Sequence, residues 1–224
     1  MNKSLQALSE CTLSETALLS STLGIAPRGQ TVIEVGTAAG GTLAQLINYS
    51  NETGRNDEFI VIDTMKYVSN QFETVIENLN KSGVRTDKLN IWPGTTSEFL
   101  MNTVIRSEFQ IALLFIDADH KPRPLHKDLM LTKYLMKGGY ICIHDYGGKF
   151  TGVTWLINRM LRLNKKSLKI FGKIDNLIII EKVSTARIKG FEKIDWLIVF
   201  FAQPILRVKK SIIKRLKDEN FSNL

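Results

Sequence analysis

Five short apolar runs, each closing on a polar residue or glycine, constrain this 224-residue chain more than any other feature. They are TVIEVG (31–36), EFIVID (58–63), LNIWPG (89–94), IALLFID (111–117) and YICIHD (140–145). Between them lie segments with helical spacing, at 41–50, 70–83, 97–104 and 124–139; Gly83 stops the second and Gly138-Gly139 the last. The runs are apolar at successive positions, so each strand needs cover on both faces. Strict strand–helix alternation of this kind predicts an α/β fold, a Rossmann-like, doubly wound, mostly parallel sheet. A helix at 3–23, with Leu5, Leu8, Leu13, Leu18 and Leu19 on one face, precedes the first strand and stops at Gly24 and Pro27. After residue 148 the alternation ends. A helix at 150–163 leads to two strands within 168–183, folded around KIDN as a C-terminal antiparallel hairpin. A helical extension at 193–218 follows, broken near Pro204.

Bulk properties narrow the class further. Apolar residues make up 44% and charged residues 23%, which is globular and excludes a disordered chain. Cys11 and Cys142 are too few and too far apart for a disulfide framework or a paired-cysteine zinc site, and Cys142 reads as core. MNKSLQALSECTLSETALL lacks the continuous apolar stretch of a signal peptide, and no run reaches the ~18 apolar residues of a spanning helix. The expected location is cytoplasmic.

In a sheet of this type, ligands sit at the carboxyl ends of the strands. Those ends carry Glu34 and Gly36 with the turn TAAGG (37–41), then Asp63, then Gly94-Thr95-Thr96-Ser97, then Asp117, Asp119 and His120, and finally His144-Asp145. Gly36, Gly40 and Gly41 allow close backbone approach, but their G-x-x-x-G-G spacing differs from the dinucleotide G-x-G-x-x-G. No Lys-Ser/Thr follows, so this is not a phosphate P-loop. Asp63 offers two acceptor oxygens to a ribose and lies 27 residues past Gly36, a spacing that suits nicotinamide and S-adenosylmethionine (SAM) enzymes alike. The last two strands separate these readings. Asp117, Asp119, His144 and Asp145 crowd one pocket with acids that hydride transfer does not need. A hard divalent cation, Mg²⁺ above all, relieves that repulsion and lowers the pKa of a bound hydroxyl. His126, on the following helix, reads as solvated or core-edge, and Trp92 as packing with adenine contact as the alternative. Position alone places Tyr146 and Lys149 near an acceptor.

Together, TVIEVGTAAGGT, VIDT, FETVIENLNKSGV, GTTSEFL, LLFIDADH and LMKGGYICIHDYG resemble the class I SAM-dependent methyltransferases. The nearest branch is the metal-dependent O-methyltransferases of sugars and natural products, the macrocin and novobiocin-sugar type. The resemblance spans about residues 25–182, and FIDADH followed by GGYICIHDY is its most specific part. It implies that Glu34, Gly36, Thr37, Gly40 and Gly41 hold the amino acid end of SAM, that Asp63 binds ribose, and that Gly94, Thr95, Thr96 and Ser97 lie near adenine. It places Asp117 beside the cofactor and, with His144 and Asp145, at a metal. Asp119 or His120 would be the general base. Relatives carry two acidic residues where this chain has His144-Asp145, and histidine is a poorer Mg²⁺ ligand. Metal identity and metal dependence therefore stay open. The implied activity is O-methylation of a small-molecule or glycan hydroxyl. A nicotinamide-dependent reductase, and a non-catalytic membrane-associated protein with the same fold, are the competing readings.

On this reading residues 1–30 form an N-terminal helix, 31–183 the methyltransferase domain, and 184–224 a basic amphipathic extension. Charge divides along the same line. Residues 1–148 carry a net −3 and residues 149–224 a net +11. WLIVFFA (196–202) followed by RVKKSIIKRLK suits a helix packed on the domain or on a homodimer partner, or one lying at the inner face of a membrane through residues 193–217. No nucleic-acid module is visible, so no specific nucleic acid is expected.

Overall fold

The computed structural model describes residues 9–102 and 109–221, with the backbone course alone for residue 207 and residues 209–221. The strands are β1 (Thr31–Val35), β2 (Glu58–Asp63), β3 (Leu89–Pro93), β4 (Ile111–Ile116), β5 (Leu135–Ile143), β6 (Leu168–Ile174) and β7 (Leu177–Lys182). They form one sheet in the order β3-β2-β1-β4-β5-β7-β6. β1 to β5 pair in parallel. β7 alone runs antiparallel to its neighbours β5 and β6, as the hairpin around KIDN predicts.

Alternate residues of the strands feed two cores. Val32, Val61, Leu113, Phe115 and Cys142 pack with α1 (Leu13–Ile25), α2 (Gly41–Glu52) and α3 (Gln71–Lys81) on one face. Ile33, Val35, Ile62, Leu114, Ile116, Ile141 and Ile143 face the opposite core, with α4 (Thr96–Asn102), α5 (Pro122–Asp128), α6 (Thr151–Leu163) and α7 (Lys193–Phe221). All six β4 residues are buried, which explains why that run is apolar throughout. Cys11 and Cys142 form no disulfide and are buried, and burial raises both thiol pKa values.

Three elements differ from expectation. Of the helix expected at 3–23, the described part α1 starts at Leu13, where Thr12 and Glu15 form a capping box, and residues 9–12 before it are not helical. Leu13 is exposed, whereas Leu19 and Leu23 are buried; Leu5 and Leu8 lie outside the described residues. The helix expected over 97–104 is no such difference: it is present as α4 to Asn102, and residues 103 and 104 lie outside the described residues. The helix expected over 124–139 is instead α5 from Pro122 to Asp128, one 3₁₀ segment (Leu129–Tyr134), and then strand. Gly138 and Gly139 do not stop a helix; they build a bulge inside β5. Leu135 pairs with Ile111 and Tyr140 with Leu113, so the residues between them bow out against Ala112 alone. A Cβ at Gly139 would lie 3.0 Å from the Ile111 carbonyl oxygen, and Gly138 has φ 78°.

The third difference is α7, which continues through Pro204. Proline has no N–H for the carbonyl four residues back, here Phe200. That carbonyl accepts instead from Arg123 Nη2 at 2.8 Å, and the guanidinium stacks 3.7 Å over the Phe200 ring. Gln203 accepts from the Arg123 backbone N–H at 3.1 Å, and Arg159 pairs with Asp195. Val199 and Ile188 are buried in the second core, so the first half of the basic extension packs against the body of the protein.

Candidate active site

β1 and β4 come so close at their carboxyl ends that only glycine fits at position 36. A Cβ there would sit 2.2 Å from the Asp117 carbonyl oxygen, and Gly36 has φ 82°. The chain then turns through Thr37–Gly40 into α2, with the Gly40 N–H donating to the Thr37 carbonyl at 2.7 Å. Asp63, at the end of β2, braces this turn. Its carboxylate accepts from Thr37 N at 2.8 Å, Met65 N at 2.7 Å and Gln71 Nε2 at 3.2 Å. Beneath lies Glu34, fully buried, with the Thr37 hydroxyl at 3.4 Å. Burial, and then the nearby Asp117 and Asp63, push its pKa well above the usual carboxylate range.

A cleft of about 600 Å³ opens over these strand ends. Gly36, Asp63, Gly94, Thr95, Thr96, Ser97, Asp117, Asp119 and His120 all line it. Glu34, Thr37, Gly40 and Gly41 lie behind that lining, in the turn and its support. At the end of β3, a Cβ on Gly94 would meet Trp92 Nε1 at 2.7 Å, so glycine again permits the approach. Thr95 donates N–H and hydroxyl to Glu98, each at 2.7 Å, and the Thr96 hydroxyl donates to Asp128 at 2.6 Å. These threonines secure the start of α4. Trp92 packs edge-on against Phe99, which favours the packing reading.

The two residues after Ala118 are separated by their partners. Asp119 accepts from Lys121 N at 3.0 Å and pairs with Lys121 Nζ at 2.9 Å near solvent. His120 Nδ1 lies 2.8 Å from Asp145 Oδ2, and its ring stacks on Phe150 at 4.0 Å. The ring is thus held from one edge and one face, and His120 lines the cleft.

Behind this pair is a second cluster. His144 Nδ1 lies 3.2 Å from Asp117 Oδ1, and Nε2 lies 3.3 Å from Glu15 Oε2. Burial opposes a charge on this ring, but the Asp117 hydrogen bond and the charges of Asp117, Glu15 and Asp145 outweigh it and raise the pKa to about 9. Ligand atoms of Asp117, His144 and Asp145 lie within 4.8 Å of one another, close enough to hold a cation. Their chemistry is mixed, two carboxylates and one imidazole, which suits a borderline divalent ion better than Mg²⁺.

Sequence reasoning missed Glu15. Its Oε2 also accepts from Thr12 N at 2.8 Å, and its Oε1 from Asn176 N at 3.0 Å. The Thr12-x-x-Glu15 capping box was the available signal, but a capping box does not say what else its carboxylate meets. Lys66, Tyr67, Arg123, Lys127 and Asp128 on the cleft wall were missed as well. His126 is buried, bonded to the Gly190 carbonyl at 2.9 Å, and belongs to the core edge. The Tyr146 hydroxyl donates to Asn158 at 2.8 Å, and Lys149 lies over the Phe150 ring.

A family model described as a methyltransferase domain matches residues 33–146, which contain every strand-end group above but not Glu15 of α1. The chain belongs to this methyltransferase family. The nicotinamide reductase reading falls with that membership. Solved structures agree in fold. The methyltransferase resembles the O-methyltransferase NovP with 12% identity and TM-score 0.63, over 79% of this chain and 83% of that one. It resembles the SAH-bound methyltransferase PaMTH1 of Podospora anserina with 13% identity and TM-score 0.61, over 82% and 89% of the two chains. It also resembles CalS11, a TDP-rhamnose 3'-O-methyltransferase of calicheamicin biosynthesis, with 17% identity and TM-score 0.57, over 75% and 77%. No curated protein sequence matches the methyltransferase significantly.

Proposed function

We propose that this methyltransferase moves the methyl group of SAM to a hydroxyl of a sugar or other small molecule, with His120 as general base. The observation that carries this reading is the His120–Asp145 pair on the rim of the strand-end cleft. The cleft is of the size that encloses a small molecule, about 300–1,000 Å³. Gly36 and Gly94 line it, and the fold neighbours include a sugar O-methyltransferase and an SAH-bound enzyme.

Gly36 and the 37–41 turn would receive the amino acid end of SAM, Asp63 the ribose hydroxyls, and Gly94–Ser97 the adenine side. The acceptor hydroxyl would sit between the SAM methyl and His120 Nε2. The oxygen attacks the methyl carbon in line, the carbon–sulfur bond breaks with its electron pair returning to sulfur, and the hydroxyl proton passes to His120. Asp145 keeps the ring oriented and stabilises the imidazolium, as a carboxylate does behind any catalytic histidine. Asp119, already paired with Lys121, is the weaker candidate for the base. Asp117, His144 and Asp145 would hold a divalent cation, which when bound lowers the pKa of a coordinated hydroxyl.

Isothermal calorimetry should find SAM and its demethylated product binding to the protein. Asp63→Ala should abolish that binding while circular dichroism stays native. Methyl-labelled SAM should then label hydroxylated acceptors from a sugar-nucleotide and polyol panel. Absence of binding by both SAM and its product sinks the proposal.

A further inference from the structure

Helix α7 packs one face on the body of the protein and leaves an apolar face outside. Val199, Asp195 and Gln203 point inward and are buried. On the other side, Ile194, Leu197, Ile198, Phe201, Ile205 and Val208 are all exposed, Phe201 to 63% and Ile205 to 67%. Steps of three, one, three, four and three residues keep them within a stripe about 100° wide. A contiguous exposed apolar surface of this kind marks an interaction site.

We infer that this stripe docks α7 in the plane of an anionic lipid surface. Charge decides the occupant. The helix backbone runs on through residues 207–217, where the sequence places six Lys or Arg and no acid. An anionic bilayer takes both halves: the acyl boundary buries the stripe, and the headgroups meet the cations. A second copy of the chain would bring the same basic segment against its own kind. Nucleic acid would leave the aliphatic stripe in water. Among the described residues no helix is long and apolar enough to cross a membrane, so α7 would lie at the interface. Arg123 lines the cleft and also binds the Phe200 carbonyl, so docking would hold the cleft beside the membrane surface.

The test is co-sedimentation of the full chain with phosphatidylcholine vesicles, with and without phosphatidylglycerol. The expected result is partition into the phosphatidylglycerol vesicles alone, weakened by high salt. F201S/I205S should lower the partition coefficient at least about tenfold, with an unchanged melting temperature and unchanged SAM binding. A wild-type chain left in the supernatant overturns the inference. So does a double variant that partitions like the wild type. A dimer seen by light scattering, and dissolved by F201S/I205S, would assign the stripe to a second copy and overturns it too. None of these readouts involves methyl transfer, so failure here is distinct from failure of the proposed activity.

Discussion

Asp119 and His120 are neighbours in the chain, yet their surroundings give them different chemistry. Lys121 neutralises the first, and Asp145 and Phe150 aim the second. Removing the imidazole while keeping a hydrogen-bonding side chain separates base from scaffold. His120→Asn is expected to lower kcat by roughly 10²–10³ while SAM binding, measured by calorimetry, stays within about twofold. Asp128 offers a second test at this scale. Its carboxyl is buried and accepts from Thr96, and burial raises its pKa from 3.8 to about 6. The folded chain holds that proton more tightly than the unfolded chain. The stabilisation is therefore complete below about pH 4, declines as pH rises to about 6, and is absent above. Urea unfolding of wild type and Asp128→Asn should show the difference between them shifting by up to about 3 kcal/mol from pH 4 to pH 7, in favour of the variant at the higher pH.

At the scale of elements, two arginines tie helices to the rest of the fold, Arg55 from the segment before β2 and Arg123 from α5. Arg55 and Asp57 form a fully buried pair at 2.7 Å. Arg55 also donates to the carbonyls of Gly24, Ala26 and Pro27 at the end of α1. This fixes one end of the helix whose other end presents Glu15 to His144. Arg55→Ala leaves Asp57 buried without its cation and should cost about 3–5 kcal/mol in chemical unfolding. Arg123 does the equivalent for α7, by filling the vacancy that Pro204 creates at the Phe200 carbonyl. Arg123→Ala should destabilise the chain by about 1–3 kcal/mol and speed amide hydrogen exchange in α7 before the sheet. Neither role shows in the sequence, where each arginine is one surface-type residue among many. Pro204 reads there as a break, because its neighbours in space are not its neighbours in the chain.

At the scale of the whole molecule, the parallel strands were legible because each must bury both faces, and burial writes itself into local composition. The carboxyl ends of β1 to β4 then named Gly36, Asp63, Gly94, Asp117 and His120 as groups sharing one cleft, and the fold brings them there, whereas the β5 pair His144 and Asp145, expected in the same pocket, is not part of its lining. Gly138-Gly139 misled because glycine ends helices and also makes bulges; only the pairing of β5 with β4 distinguishes the two. What the sequence determined by itself is the alternation, the parallel sheet, and the side of it on which chemistry is concentrated. The tertiary structure decided which partner each charged group meets: Lys121 for Asp119, Asp145 for His120, Glu15 and Asp117 for His144. The physical reason is range. Hydrophobic periodicity is repeated over many residues and survives being read locally, whereas an ion pair is a single contact between segments as far apart as Glu15 and His144.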